Sequence, residues 1–343
     1  MSNILIHNTN AMNPQKELSK LIRGDFLDHY LLVRKCEPKT TQHNKPYIVL
    51  ELCDQSAALT AYLWDIPDEF DLSSMSGAVV KVSGVIEEYK SQLQIRISGI
   101  RPACGDDDVS PEDFLAKSRR DFVVMKRELE NRISRFRNVF LKQLLKQILS
   151  GEFYERFLRA PAGKSWHHSY IHGLLEHTLE IIKICDFMCD IHPELNRDLL
   201  ISGAILHDSG KVEELVFNSA FDYSDKGKLL GHIIIGALEI NEKANKVSGF
   251  PEDLKVQLIH LVLSHQGKLE YASPVVPKTL ESIVLYQADE LSAKTNAYKS
   301  AIMAESGSSS KWTKHLSLIS TALYIPDNFG QEDPQIVKTL FDS

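Results

Sequence analysis

The chain has 343 residues, 43% of them hydrophobic and 25% charged, ordinary values for a globular protein and enough for two domains of roughly 100–200 residues each. Its formal net charge of −7 argues against a general nucleic-acid coat, and no stretch approaches the ~18 apolar residues of a membrane span. Met1 to Pro14 lacks the basic start and apolar core of a signal peptide, and the five cysteines form no CxxC pair, so a cytoplasmic location without a membrane partner is expected.

Residues 1–15 read as an N-terminal extension and 16–104 as β-rich. Phe26 to Arg34 is apolar, and Tyr47 to Cys53 alternates, with Ile48, Leu50 and Leu52 on one face. Ala57 to Trp64, Val79 to Glu87 and Gln92 to Ile100 continue the pattern, separated by breaks such as Lys45-Pro46, Ser76-Gly77 and Tyr89-Lys90-Ser91. Five short strands predict a small barrel, for which an OB-fold is the natural candidate. Its residues Tyr47, Tyr62, Trp64 and Tyr89 are candidate stacking platforms for nucleic-acid bases; packing is the plainer use of a strand aromatic.

A polar break follows at Gly105-Asp106-Asp107-Asp108. Ser110-Pro111-Glu112-Asp113 has the capping-box pattern with proline at the first helical position. Apolar residues from Phe114 to Ile148 then recur at helical spacing, so 105–150 reads as a linker and connecting helix. Between Lys117 and Lys146, ten Lys/Arg face three acids; this segment carries +7 and the rest of the chain −14. Such a stripe, opened by Arg119 and Arg120, can hold a phosphate backbone; a solvated amphipathic helix is the equal alternative.

From 151 to 325 the pattern is helical. His167 to Ile191, Leu199 to Leu206, Leu229 to Ile240, Leu254 to Ser264 and Leu280 to Leu291 are the main segments. Ser306 to Ser310 reads as a short connection and 326–343 as a C-terminal tail. The expected fold class is therefore α+β in two domains, a five-stranded OB-like β-barrel followed by an all-α helical bundle. A barrel edge and apolar helices over Leu316 to Leu323 would allow a homo-oligomer.

Six side chains in the helical half stand in or beside apolar segments: His177, His207, Asp208, His232, His265 and Asp289. A single histidine there is more often a hydrogen-bonded core residue than a ligand. The set is different, because buried carboxylates are costly and cations would neutralise them. Imidazole and carboxylate donors suit Mn, Fe, Zn, Co or Ni. One partition gives His177, His207, Asp208 and Asp289 to a first ion, with Asp208 bridging to a second held by His232 and His265. Two cations about 3.5–4 Å apart can orient a phosphate, activate water and stabilise the leaving oxygen. Asp208 is thus a catalytic candidate as well as a ligand. Lys211, in His-Asp-Ser-Gly-Lys, can contact a phosphate oxygen or a site carboxylate. His167 and His168 can contact phosphate or supply a proton to the leaving oxygen. None of the Gly-Lys pairs has Walker A spacing, and the chain has neither a Gly-x-Ser-x-Gly elbow nor a His-Glu-x-x-His helix.

The series His177…His207-Asp208-Ser-Gly-Lys211…Asp289 resembles the HD superfamily of metal-dependent phosphohydrolases, and His232 and His265 match its two-metal members. The run from Trp166 to Thr178, Trp-His-His-Ser-Tyr-Ile-His-Gly-Leu-Leu-Glu-His-Thr, together with the OB-like region, resembles the YhaM-type 3′→5′ exoribonucleases over about residues 16–325. The chain departs from that family at His172, where two glycines usually precede the Leu-Leu-Glu-His run. The resemblance implies an exonuclease with two divalent metal ions, manganese favoured. It would release nucleoside 5′-monophosphates from the 3′ end of single-stranded RNA, with single-stranded DNA as a further substrate. The alternatives are an HD phosphohydrolase or phosphodiesterase acting on a nucleotide or cyclic dinucleotide, a di-iron HD oxygenase, and a binding protein using the helical domain as a scaffold.

Overall fold

The computed structural model describes residues 15–67, 70–90, 92–164, 166–217, 221–305, 310–316 and 319–329. The expected N-terminal extension, apart from Gln15, the connection at 306–309 and the tail from 330 lie outside these residues. The chain forms two compact units, Met1–Arg119 with Val216–Asp222, and Arg120–Leu215 with Tyr223–Ser343.

The first unit is a closed five-stranded barrel in the order β1-β2-β3-β5-β4, formed by β1 (Phe26–Thr40), β2 (Pro46–Cys53), β3 (Ala58–Leu63), β4 (Val79–Tyr89) and β5 (Gln92–Pro102). Only β3 and β5 pair in parallel. Closure depends on β1, which serves two neighbours. Phe26–Leu32 pairs with β4 and Leu32–Thr40 with β2, with a bulge between Val33 and Lys35. A bulge bends and twists its strand, which lets one strand turn the corner and leaves no open edge. The alternating residues Ile48, Leu50, Leu52, Ile95 and Ile97 point into the barrel core with Leu27, Leu31, Val80 and Val82.

The second unit is helical: α1 (Phe122–Ser134), α2 (Val139–Ile148), α3 (Gly151–Arg159), α4 (Gly173–Ile191), α5 (Arg197–Leu206), α6 (Lys211–Glu214), α7 (Asp225–Lys246), α8 (Glu252–Ser264) and α9 (Leu280–Glu305). Between α6 and α7 in the sequence, two short strands, β6 (Leu215–Phe217) and β7 (Phe221–Tyr223), pair with each other; their residues Val216–Asp222 belong to the first unit. Every residue of α5 from Leu199 to Leu206 is buried, as expected of a central helix that is apolar all round. No helix among the described residues is long and apolar enough to cross a membrane.

Three sequence expectations need correction. The Ser110–Asp113 capping box forms but encloses only a 3₁₀ turn, Pro111–Phe114. The periodicity read as one connecting helix is two helices, α1 and α2. They are separated at Arg135–Asn138, where Asn138 caps α2 and the Asp198 carboxylate accepts from the N–H groups of Arg137 and Asn138. Both bury apolar faces within the helical unit, so periodicity alone could not mark the break. No helix covers the described residues of 316–323; Leu316 instead bridges Thr321. With the barrel closed, neither feature that suggested self-association is present among the described residues.

Leu50 is fully buried in the barrel. Leu50→Ala should lower the unfolding free energy by about 2–5 kcal/mol, measured by urea denaturation; a change below about 0.5 kcal/mol would contradict the assigned register.

Candidate metal centre

Five helices or their ends place the six sequence-selected groups. His177 lies within α4, His232 within α7 and Asp289 within α9, while His265 caps the C-terminus of α8. His207 caps α5, and Asp208 follows in a tight turn in which Ser209 donates to Leu206 and Lys211 to Asp208. Two glycines make the approach possible. A Cβ on Gly210 would sit 2.1 Å from the His232 carbonyl oxygen, and one on Gly173 would sit 2.0 Å from that of His168. Gly210 therefore lets α7 bring His232 against the Asp208 turn, and Gly173 lets the His168 loop lie on α4.

Asp208 is the hub. Its Oδ2 lies 3.3 Å from Nε2 of His207 and 3.7 Å from Nε2 of His177. Its Oδ1 lies 3.3 Å from Nε2 of His232 and 3.6 Å from Nε2 of His265. Asp289 Oδ1 is 3.1 Å from His177 Nε2 and 3.9 Å from His207 Nε2. The donors thus fall into two groups with metal-ligand spacing, His177–His207–Asp289 and Asp208–His232–His265.

The ring orientations specify what belongs between these groups. Nδ1 of His207 donates to the Ala204 carbonyl at 2.9 Å, and that of His265 to the Val262 carbonyl at 2.7 Å. Nδ1 of His232 donates to Glu214 at 3.0 Å. Nδ1 of His177 donates to Ser292 Oγ at 3.0 Å, and the Ser292 hydroxyl donates in turn to Glu180 Oε2 at 2.7 Å. A neutral imidazole that donates from Nδ1 presents a lone pair at Nε2. The lone pairs of His177, His207 and His232 therefore face carboxylate oxygens, an arrangement that a cation reconciles, while that of His265 also accepts from Gln266 Nε2 at 3.2 Å. Nε2 of His177, His207 and His232 and Oδ1 of Asp208 are buried without hydrogen-bond partners, whereas buried polar atoms are normally satisfied. The donor set fits divalent metal ions, with orienting partners of the kind metal-bound histidines carry.

The electrostatics agree for Asp208, His177 and His265. Burial opposes the charge on Asp208, but Lys211 and His207 outweigh it and hold the carboxyl well below its usual range. Burial pushes His177 down, and burial with the neighbouring His207 pushes His265 down to about 4. His207 moves the other way: burial lowers it, but Asp208 raises it further.

Lys211 donates to Asp208 Oδ2 at 2.6 Å and to the Ala162 carbonyl at 2.5 Å, so its ammonium is held by the site carboxylate. His167 and His168 are buried, with rings 4.8 and 5.1 Å from that of His177. Burial pushes the His167 imidazole well below its ordinary value.

On the barrel, Tyr47, Tyr62 and Trp64 form one stacked group, with Tyr47–Trp64 centroids at 4.7 Å and Tyr62–Trp64 at 5.9 Å. Tyr89 is exposed at the end of β4, with the Lys90 ammonium 5.4 Å from its ring centroid. Arg119 is exposed; Arg120 pairs with Glu128 at 2.8 Å. Other cations of the basic stripe are also paired, Arg132 with Asp186 and Lys126 with Glu155.

The sequence reading missed Glu180, Glu214 and Ser292. Each stands three residues after a selected one (His177, Lys211 and Asp289), a single helical turn away; that spacing was the available signal. His172 resolves its departure from the family pattern. It caps α4 in the left-handed region, at φ 67°, where glycine is unstrained. Its Nδ1 donates to the Leu158 carbonyl at 2.7 Å and its ring stacks on Phe122 at 4.5 Å.

Comparison with known proteins places these features in a family context. The HD domain family matches residues 174–294, a span that includes all six selected groups. The chain is 34% identical over 279 residues to the "3'-5' exoribonuclease YhaM" of Geobacillus sp. (strain WCH70), covering 81% of this chain and 86% of that protein. It is 32% identical over 283 residues to the protein of the same name from Bacillus subtilis (strain 168), covering 81% and 88%. Among solved structures, a domain of replication protein A from Methanococcus maripaludis aligns with 26% of this chain and 94% of its own length, at 19% identity and a TM-score of 0.23.

Left-handed backbone costs a residue bearing a Cβ about 1–2 kcal/mol. His172→Gly should therefore be about 1 kcal/mol more stable than His172→Ala, which keeps the strain and loses the same contacts. Equal stabilities by thermal denaturation would show that position 172 is not under backbone strain.

Proposed function

Since the chain belongs to the YhaM family of 3′-5′ exoribonucleases and is a hydrolytic nuclease, we propose that it works with two divalent metal ions, manganese by preference. In this reading it shortens single-stranded RNA to nucleoside 5′-monophosphates, with single-stranded DNA as an alternative substrate. The two-faced Asp208 carboxylate is the observation that carries the reading, because one oxygen meets His177 and His207 while the other meets His232 and His265. His177, His207, Asp208 and Asp289 would hold one ion, and Asp208, His232 and His265 the other. When bound, such a pair supplies Lewis acidity toward the phosphate and an activated water at neutral pH.

The chain's own groups do the rest. Lys211 keeps Asp208 ionised and oriented through its 2.6 Å contact. Glu214, Glu180 and Ser292 fix the imidazole tautomers. His167, with His168 beside it, offers N–H groups to a phosphate oxygen or to the departing 3′ oxygen. Water adds at phosphorus, the P–O3′ bond breaks, and the proton that the attacking water gives up passes to the departing oxygen. The barrel serves as the RNA-holding domain and the helical unit as the hydrolase. Tyr47, Tyr62 and Trp64 form the base platform, since stacking on aromatic faces tolerates any base. Tyr89 and Arg119 are further contacts, while Arg120, paired with Glu128, is the weaker one.

With manganese, 5′-labelled single-stranded RNA should shorten stepwise, and 3′-labelled RNA should release labelled mononucleotide from the first time point. A chelator or Asp208→Ala should reduce the rate about 100-fold or more, beyond the 10–100-fold cost of losing a partner that only orients a ligand. Internal cleavage fragments, or activity indifferent to the chelator, would refute the reading. Trp64→Ala should weaken RNA binding about tenfold in a filter-binding assay, and unchanged affinity would remove the platform from the account.

A further inference from the structure

Beside the metal centre the helical unit contains a cavity of about 230 Å³, lined by His167, Lys211 and His232 on its inner side and by Lys164, Trp166 and Tyr223 among its other residues. The inner residues belong to the site already described. The others do not, and their chemistry is distinct. Trp166 is 40% exposed and Tyr223 42% exposed, although large aromatic side chains favour burial. They come from separate segments, the loop between α3 and α4 and the end of β7, yet line the same space. Lys164 is exposed and places its ammonium 5.9 Å from the Tyr223 ring centroid, adding positive charge to this aromatic wall. The volume lies near the lower end of the roughly 300–1,000 Å³ of drug-sized ligand sites.

We propose that this cavity is the subsite for the 3′-terminal nucleoside, with Trp166 and Tyr223 offering their ring faces to its base. The inference rests on the exoribonuclease reading and deepens it. The terminal 5′-phosphate then lies toward Lys211 and His232, while the nucleoside fills the aromatic end. Because every base has a π-face, such a subsite accepts any of the four and releases each as its 5′-monophosphate.

The test compares 5′-labelled single-stranded RNA ending in an ordinary nucleotide with the same strand ending in an abasic one. Trp166→Ala and Tyr223→Ala should each raise KM about tenfold for the ordinary end, with Trp166→Phe and Tyr223→Phe retaining the wild-type value. On the abasic end, wild type and alanine variants should share one raised KM. In a Trp64→Phe, Trp312→Phe background, where Trp166 is the remaining tryptophan, titration with adenosine 5′-monophosphate should quench fluorescence. Alanine variants with unchanged KM on the ordinary end, or a wild-type enzyme indifferent to loss of the terminal base, would overturn the subsite while leaving the exoribonuclease reading intact. Failure of the wild type to shorten the strand at all would instead sink that reading, and the inference with it.

Discussion

A buried carboxylate shared among four imidazoles is the constraint around which the helical unit is arranged. Asp208 is almost fully buried, and an ionised carboxylate is tolerated in such a place only with compensating charge and hydrogen bonds. Lys211 provides one compensation. The other is collective, since His177, His207, His232 and His265 come from four separate helical segments and turn their Nε2 atoms toward the same two oxygens. The backbone accommodates this demand: α5 ends at His207, the turn at 208–210 is tight, and glycine at 210 lets α7 approach to a distance that a Cβ would block.

Membership of the exoribonuclease family and the orientation of these rings are independent observations that converge. Relatives could share the residues without the site being assembled. Conversely, the arrangement of donors alone would fit a phosphohydrolase acting on nucleotides as well as one acting on RNA. The closed barrel with three stacked aromatics, the aromatic cavity beside His232 and the HD match belong to one chain. Family membership separates these readings, since it makes the chain a hydrolytic nuclease.

Much of this was legible in the residues. Alternation at Ile48, Leu50 and Leu52 marked a barrel strand because a strand with one buried face has a period of two. The six donor groups were legible because histidine and aspartate in apolar helices are expensive and therefore conspicuous. Glu180, Glu214 and Ser292 were less so; glutamate and serine are common on helices, and only the position of the neighbouring imidazole turns a one-turn spacing into a hydrogen bond. The division between α1 and α2 escaped because apolar periodicity runs across it. Asp198, some sixty residues further on, accepts from Arg137 and Asn138 and so secures the break.

Local sequence was sufficient for the five barrel strands, the chemistry of the candidate donors and the family, because periodicity, residue type and motif spacing are properties of the chain itself. Tertiary structure decided which oxygen of Asp208 faces which histidines, that Lys211 is held by a carboxylate, and that Trp166 and Tyr223 line one cavity. These depend on helix ends and loops distant in sequence meeting at ångström precision, which is set by packing and hydrogen bonding rather than by any local pattern.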